Sequence, residues 1–148
     1  MDIIKIRFAA DFEDISNDIE RTIEDMFRSL SPVFNLAERS WKPSMDMNET
    51  PEQIIILAEV AGVNKDDLEV EISSKAVRIR AMRPPRNCGP DATYRLAEIQ
   101  YGRFERVLFL PAPIDPEIVS AAYTNGMLEI RLAKLPPETM RNVAVAEG

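Results

Sequence analysis

The chain has 148 residues, 45% of them hydrophobic and 29% charged, a composition that fits one globular domain with short tails and not a disordered or membrane protein. It carries no histidine, a single cysteine, five glycines and a net charge of −7. These counts exclude imidazole-based catalysis, an intrachain disulfide and a thiolate metal cluster, and argue against general nucleic-acid binding.

No GxxxxGK[ST] or GxGxxG pattern is present, so no phosphate loop is expected. No apolar run approaches the roughly 18 residues that span a bilayer. The opening MDIIKIRFAADFED reads as too acidic for a signal peptide. The expectation is a binding or structural protein of a reducing cytoplasm, without catalytic residues, cofactor, metal, nucleic-acid partner or stable membrane insertion.

Ile4, Ile6 and Phe8 alternate with Lys5 and Arg7, which predicts a short strand or an extended sticky arm. Ile15, Ile19, Ile23, Met26, Phe27 and Leu30 recur at helical spacing. Asp11 or Asp14 can cap that helix, and Pro32 ends it. The helix either packs on the domain's own core or serves as an arm toward other subunits or clients.

From Trp41 onward the pattern is β. Ile54–Val60 is dense in β-branched residues, and Leu68, Val70 and Ile72 alternate with Glu69 and Glu71. Val77 and Ile79 alternate with Arg78 and Arg80. A Pro- and Gly-bearing loop follows, and residues 93–100 can form a short strand. Residues 102–110 and 118–124 predict two more strands. Asn125-Gly126 then predicts a tight hairpin turn into residues 128–132. Pro136-Pro137 opens a tail. No strand alternates with a long helix, so about seven short antiparallel strands predict an all-β sandwich.

The ordered segments WKPSMDMNET, AEVAGVNKDDLEVEI, YGRFERVLFLP and AAYTNGMLEIRLAK resemble the α-crystallin domain of bacterial small heat-shock proteins. The resemblance covers roughly two-thirds of the chain, about Trp41 to Lys134. It implies an immunoglobulin-like antiparallel β-sandwich with an N-terminal helical arm (1–40), the domain itself (41–134) and a C-terminal extension (135–148). It also implies an ATP-independent holdase, a non-enzyme that binds unfolding proteins, forms strand-swapped dimers and assembles into larger homo-oligomers. A co-chaperone built on the related CS domain, or a shell or coat protein, would use the same sandwich.

The resemblance assigns roles residue by residue. Val143-Ala144-Val145 matches the family's aliphatic-x-aliphatic tail motif, so Val143 and Val145 are the expected anchors. The groove that receives them on a neighbouring subunit is lined by Leu68, Val70, Ile72, Val119, Ala121 and Tyr123. Two valines in place of two isoleucines weaken docking by about 1.5 kcal/mol, at ~0.8 kcal/mol per buried methylene. Residues 92–100 match the segment that crosses to the partner, against an edge near Ser44 to Met47. The alternative is an ordinary intrachain hairpin. The expected dimer interface comprises Met45, Asp46, Thr93, Tyr94, Arg95, Leu96, Glu98 and Arg106, the last through an interchain ion pair. Client and assembly contacts are expected at Ile4, Ile6, Phe8, Phe12, Ile15, Ile19, Ile23, Met26, Phe27, Leu30 and Phe34.

Three further readings concern charge and sulfur. Arg78, Arg80, Arg83, Arg86, Arg95, Arg103 and Arg106 make a basic middle that an acidic arm of another subunit could meet. Asp66, Asp67, Glu69 and Glu71 read as a solvated charge run, because no EF-hand spacing is present. Cys88 reads as an incidental surface thiol in preference to a redox switch.

Overall fold

The computed structural model describes residues 4–8, 41–136 and 143–146. In these residues eight strands follow one another: β1 (Lys5–Phe8), β2 (Met45–Glu49), β3 (Gln53–Glu59), β4 (Glu69–Ile72), β5 (Ala76–Arg83), β6 (Gly102–Phe109), β7 (Ile114–Thr124) and β8 (Met127–Lys134). They form two four-stranded sheets, ordered β1-β4-β5-β6 and β2-β3-β8-β7. All pairings are antiparallel except β1 with β4, which is parallel.

Alternation places the core. On β3 Ile54, Ile56 and Ala58 face inward, opposite Leu132, Ile130 and Leu128 of β8, and all six are fully buried. The other sheet supplies Val70 and Ile72 of β4, opposite Ile79 and Val77 of β5. A one-residue slip in either pair would turn the whole apolar set to solvent, so register is strongly specified. Trp41 packs edge-on to Phe104, with ring centroids 5.0 Å apart. Such an edge-to-face pair adds stability beyond the area it buries.

The predicted turn is present. Asn125 has φ 52° and Gly126 φ 78°, the left-handed geometry of a tight hairpin. Gly126 is also forced by close approach: a Cβ there would lie 2.7 Å from Ala61 Cβ. The Val60 amide donates to Gly126 O at 2.8 Å, which locks this hairpin against the turn after β3. Tyr123 adds a second link. Its hydroxyl proton is shared between Val60 O (2.9 Å) and Val63 O (3.1 Å).

Two expectations are corrected. Residues 93–100 form no strand within this chain. β5 and β6 pair directly, with Arg83 opposite Gly102, and everything between them is looped out. β7 begins at Ile114, not 118, because a register shift between Ile114 and Val119 accommodates Pro116. The helix expected over 15–30 lies outside the described residues, as do Phe12, Ile15, Ile19, Ile23, Met26, Phe27, Leu30 and Phe34. Among the described residues no helix is long and apolar enough to cross a membrane.

Candidate assembly surfaces

The residues expected to line the tail groove fall at β4, which lies between β1 and β5 in one sheet, and on β7, the edge strand of the other. Leu68, Val70 and Ile72 are fully buried there, while Val119, Ala121 and Tyr123 are half-buried against the same core. Tyr123 spends its hydroxyl on the turn after β3, so only its ring remains for a groove. β1 sits on β4, with Ile6 opposite Val70 and Phe8 opposite Ile72. Ile4 and Ile6 are half-buried and pack against the core. Of the expected client contacts in this stretch, only Phe8 stands substantially exposed. Residues two apart share a face, and Ile4 and Ile6 turn theirs to the core, whereas Phe8, on the same face at the end of the strand, stays half exposed.

The outer face of the same sheet carries a charge ladder. Register aligns Lys5, Glu69, Arg80 and Glu105 in one row and Arg7, Glu71 and Arg78 in the next. Arg80 lies 2.9 Å from Glu69 and 4.0 Å from Glu105. Arg78 pairs with Glu71 and lies 3.8 Å from Glu105. Glu69 and Glu71 are therefore cross-strand partners and not a merely solvated run. Opposite charges directly across a sheet each contribute roughly 0.2–1 kcal/mol.

This pairing also reduces the basic middle. Arg78 and Arg80 are engaged within their own sheet, Arg83 caps Trp41, and Arg106 binds a carbonyl. Arg86, Arg95 and Arg103 remain exposed.

The loop from residue 84 to 101 is the second surface. It pairs with no strand among the described residues, and Tyr94, Leu96 and Ile99 are 61%, 74% and 64% exposed. β2 is an edge strand, so its far side lacks a neighbour among the described residues. Met45 is half-buried against the core and Asp46 is exposed. Thr93, Arg95 and Glu98 are exposed along the loop. The intrachain hairpin is thus not formed.

Arg83 anchors the base of this loop, a role that sequence reasoning missed. Its guanidinium stacks over the Trp41 ring, with Cζ 3.6 Å from the centroid. Its Nε donates to Gln100 O at 2.7 Å, its Nη2 donates to the same oxygen, and its Nη1 donates to Ala61 O at 3.1 Å. One side chain thereby ties together both ends of the loop, Trp41 and the turn after β3. Nothing local to Arg83-Pro84-Pro85 signals these distant partners.

Arg106, expected to pair with a carboxylate across the dimer, donates from Nη1 to Pro43 O of its own chain at 2.7 Å. Among the described residues no carboxylate pairs with it. Burial lowers its pKa from the ordinary arginine value, because desolvation disfavours the charged form. Val143 and Val145 are 78% and 88% exposed, so neither valine is docked against the described residues of its own chain. Cys88 is exposed in the loop, with Sγ 3.8 Å from the Tyr94 hydroxyl.

The sandwich, its strand-edge surfaces and its loop can now be set beside known proteins. The model of the Hsp20/alpha crystallin family matches residues 46–146. The chain belongs to this family. The small heat shock protein C2 of Rickettsia felis is 26% identical over 131 residues, covering 87% of this chain and 85% of its own. Heat shock protein 16.0 from Schizosaccharomyces pombe has a similar structure, with TM-score 0.61 and 28% identity over 72% of this chain and 99% of that one. A small heat-shock protein from Xylella fastidiosa, described as having a distinct high order structure, gives TM-score 0.60 and 27% identity, covering 72% and 98%. Small heat-shock proteins are non-enzymatic chaperones, and the chain is one of them.

Proposed function

We propose that this small heat-shock protein is an ATP-independent holdase of the cytoplasm that works as a homo-oligomer built from strand-swapped dimers. The observation that carries the proposal is the loop of residues 84–101. It presents Tyr94, Leu96 and Ile99 to solvent on a backbone that pairs with no strand among the described residues, while β2 is an edge strand without a neighbour on its far side among them. An extended segment adding to such an edge gains main-chain hydrogen bonds and buries alternate side chains. Exchange of the segment between two copies satisfies both at once, about a two-fold axis.

Beyond the dimer, Val143 and Val145 dock in the groove of β4 and β7 on a neighbouring subunit. The chain then divides into an arm (1–40), a sandwich (41–134) and a linking tail (135–148). Unfolding clients expose apolar surface and strand edges. Many arms on one particle bind them by avidity, and the net charge of −7 per chain, multiplied over the assembly, keeps the loaded particle soluble.

The test is turbidity of a heated client without ATP, together with light-scattering mass. Suppressed turbidity at equimolar protein and a mass of a dimer or larger are expected. Unchanged turbidity across temperature would refute the holdase. An oligomer unchanged after truncation before Asn142 would refute tail docking.

A further inference from the structure

We infer that Arg83 is a positioning residue that couples the root of the arm to the strand swap: with its guanidinium on Trp41 it aims the end of the loop toward a partner, and when Trp41 leaves its seat the swapped dimer loosens. This rests on the strand swap proposed above and adds what controls it.

Three observations meet at this joint. First, residues 41–43 form a strap between the arm (1–40) and β2. The Trp41 amide donates to Arg103 O at 3.1 Å, its ring packs on Phe104, and Pro43 O accepts from Arg106 Nη1 at 2.7 Å. Trp41 and Pro43 are buried, so the strap is packed along the start of β6. Second, the strap runs straight into the edge that receives the partner's segment. Ser44 O accepts from the Glu59 amide at 3.0 Å, and β2 begins at Met45. Third, the loop leaves β5 at Arg83 and rejoins β6 at Gly102, directly opposite. The root of the arm, both ends of the donated loop and the start of the accepting edge therefore share one place in the fold.

Arg83 turns that neighbourhood into a coupling. A guanidinium is planar and its donors form a rigid fork. Stacking on Trp41 fixes the plane, and the plane aims Nε and Nη2 at Gln100 O and Nη1 at Ala61 O. Gln100 and Ala61 are exposed, so water competes for both carbonyls once the plane is free. The ring supplies what water does not, a face that keeps the fork aimed. A loop held at its end is preorganised for docking, and one released there loses more freedom when it docks. A load that lifts Trp41, from a client or a sibling subunit drawing on the arm, thus weakens the swap. By linkage, a docked loop steadies Trp41 in return. Weakened docking shows mainly as faster dissociation.

The experiment mixes isotope-labelled and unlabelled full chain and follows the appearance of mixed dimers by native mass spectrometry. Trp41→Leu removes the ring face but keeps apolar bulk, and should speed mixing about five-fold. The same change made in Arg83→Ala should alter the rate less than about two-fold, because the joint is already open. Trp41→Phe restores a ring face and should stay within about two-fold of the parent. Ile130→Val removes a buried methylene opposite Ile56 and Ala121, controls for lost stability and should leave the rate unchanged. Arg83→Lys keeps the charge without the stack or the fork and should speed mixing several-fold, which keeps the test open if Trp41→Leu does not fold by circular dichroism. Effects of Trp41→Leu and Arg83→Ala that multiply overturn the coupling. So does a rate that neither changes, or that Ile130→Val raises as much. A parent that is a monomer by light scattering refutes the strand swap itself.

Discussion

Replacing Arg83 with alanine tests how the loop is held. The guanidinium covers one face of the Trp41 ring at 3.6 Å, and Trp41 is nearly buried. A cation–π contact of this kind contributes about 0.5–1 kcal/mol when partly exposed. The bonds to Gln100 O and Ala61 O at 2.7 and 3.1 Å run from a half-buried charged donor to exposed carbonyls, about 1 kcal/mol each after allowing for solvent. Arg83→Ala should therefore cost about 2–3 kcal/mol. Trp41 is the only tryptophan, so urea unfolding at a fixed protein concentration can be followed by its fluorescence. The native emission should shift to the red as the ring loses its cover. Arg83→Lys keeps the charge but neither the planar stack nor the fork, so it should recover less than half of the loss. An Arg83→Ala variant within about 0.5 kcal/mol of the parent, with unchanged emission, would refute the reasoning.

Three other outcomes follow from the geometry. Leu96→Asp with Ile99→Asp should shift the protein to monomer at micromolar concentration, since each buried aliphatic contributes about 1.5–3 kcal/mol to a swapped interface; an unchanged light-scattering mass would sink the swap. Gly126→Ala drives a methyl to 2.7 Å from Ala61 Cβ, whereas Gly89→Ala, also at positive φ, meets open space. The first should lose more than about 2 kcal/mol and the second about 1 kcal/mol by thermal unfolding, and the reverse order would contradict the packing. Arg106→Met leaves Pro43 O without its donor in a half-buried site and should cost about 1–2 kcal/mol. A variant that keeps its unfolding midpoint but loses dimer mass would instead place Arg106 in an interchain contact.

Local pattern determined much of this protein. The period of two in Leu68–Ile72, Val77–Arg80 and Leu128–Leu132 set which side chains face the core, because the pleat sends alternate residues to opposite faces. Asn125-Gly126 determined its own turn through positive φ. The ordered β segments identified the family, and with it the sandwich.

Strand partners were a different matter, because hydrogen bonding between strands is non-local and leaves no mark in either strand's own pattern. Ile4, Ile6 and Phe8 alternate as a free arm would. Only the β4 edge, with Val70 and Ile72 on one face and Glu69 and Glu71 on the other, made them a sheet strand. Residues 93–100 alternate well enough to pair, yet β5 pairs directly with β6 and the segment between them is looped out of its own sheet. Arg83 reads locally as the start of a proline loop. Folding brought Trp41, Ala61 and Gln100 around it from three other parts of the chain, and only that convergence made it an anchor.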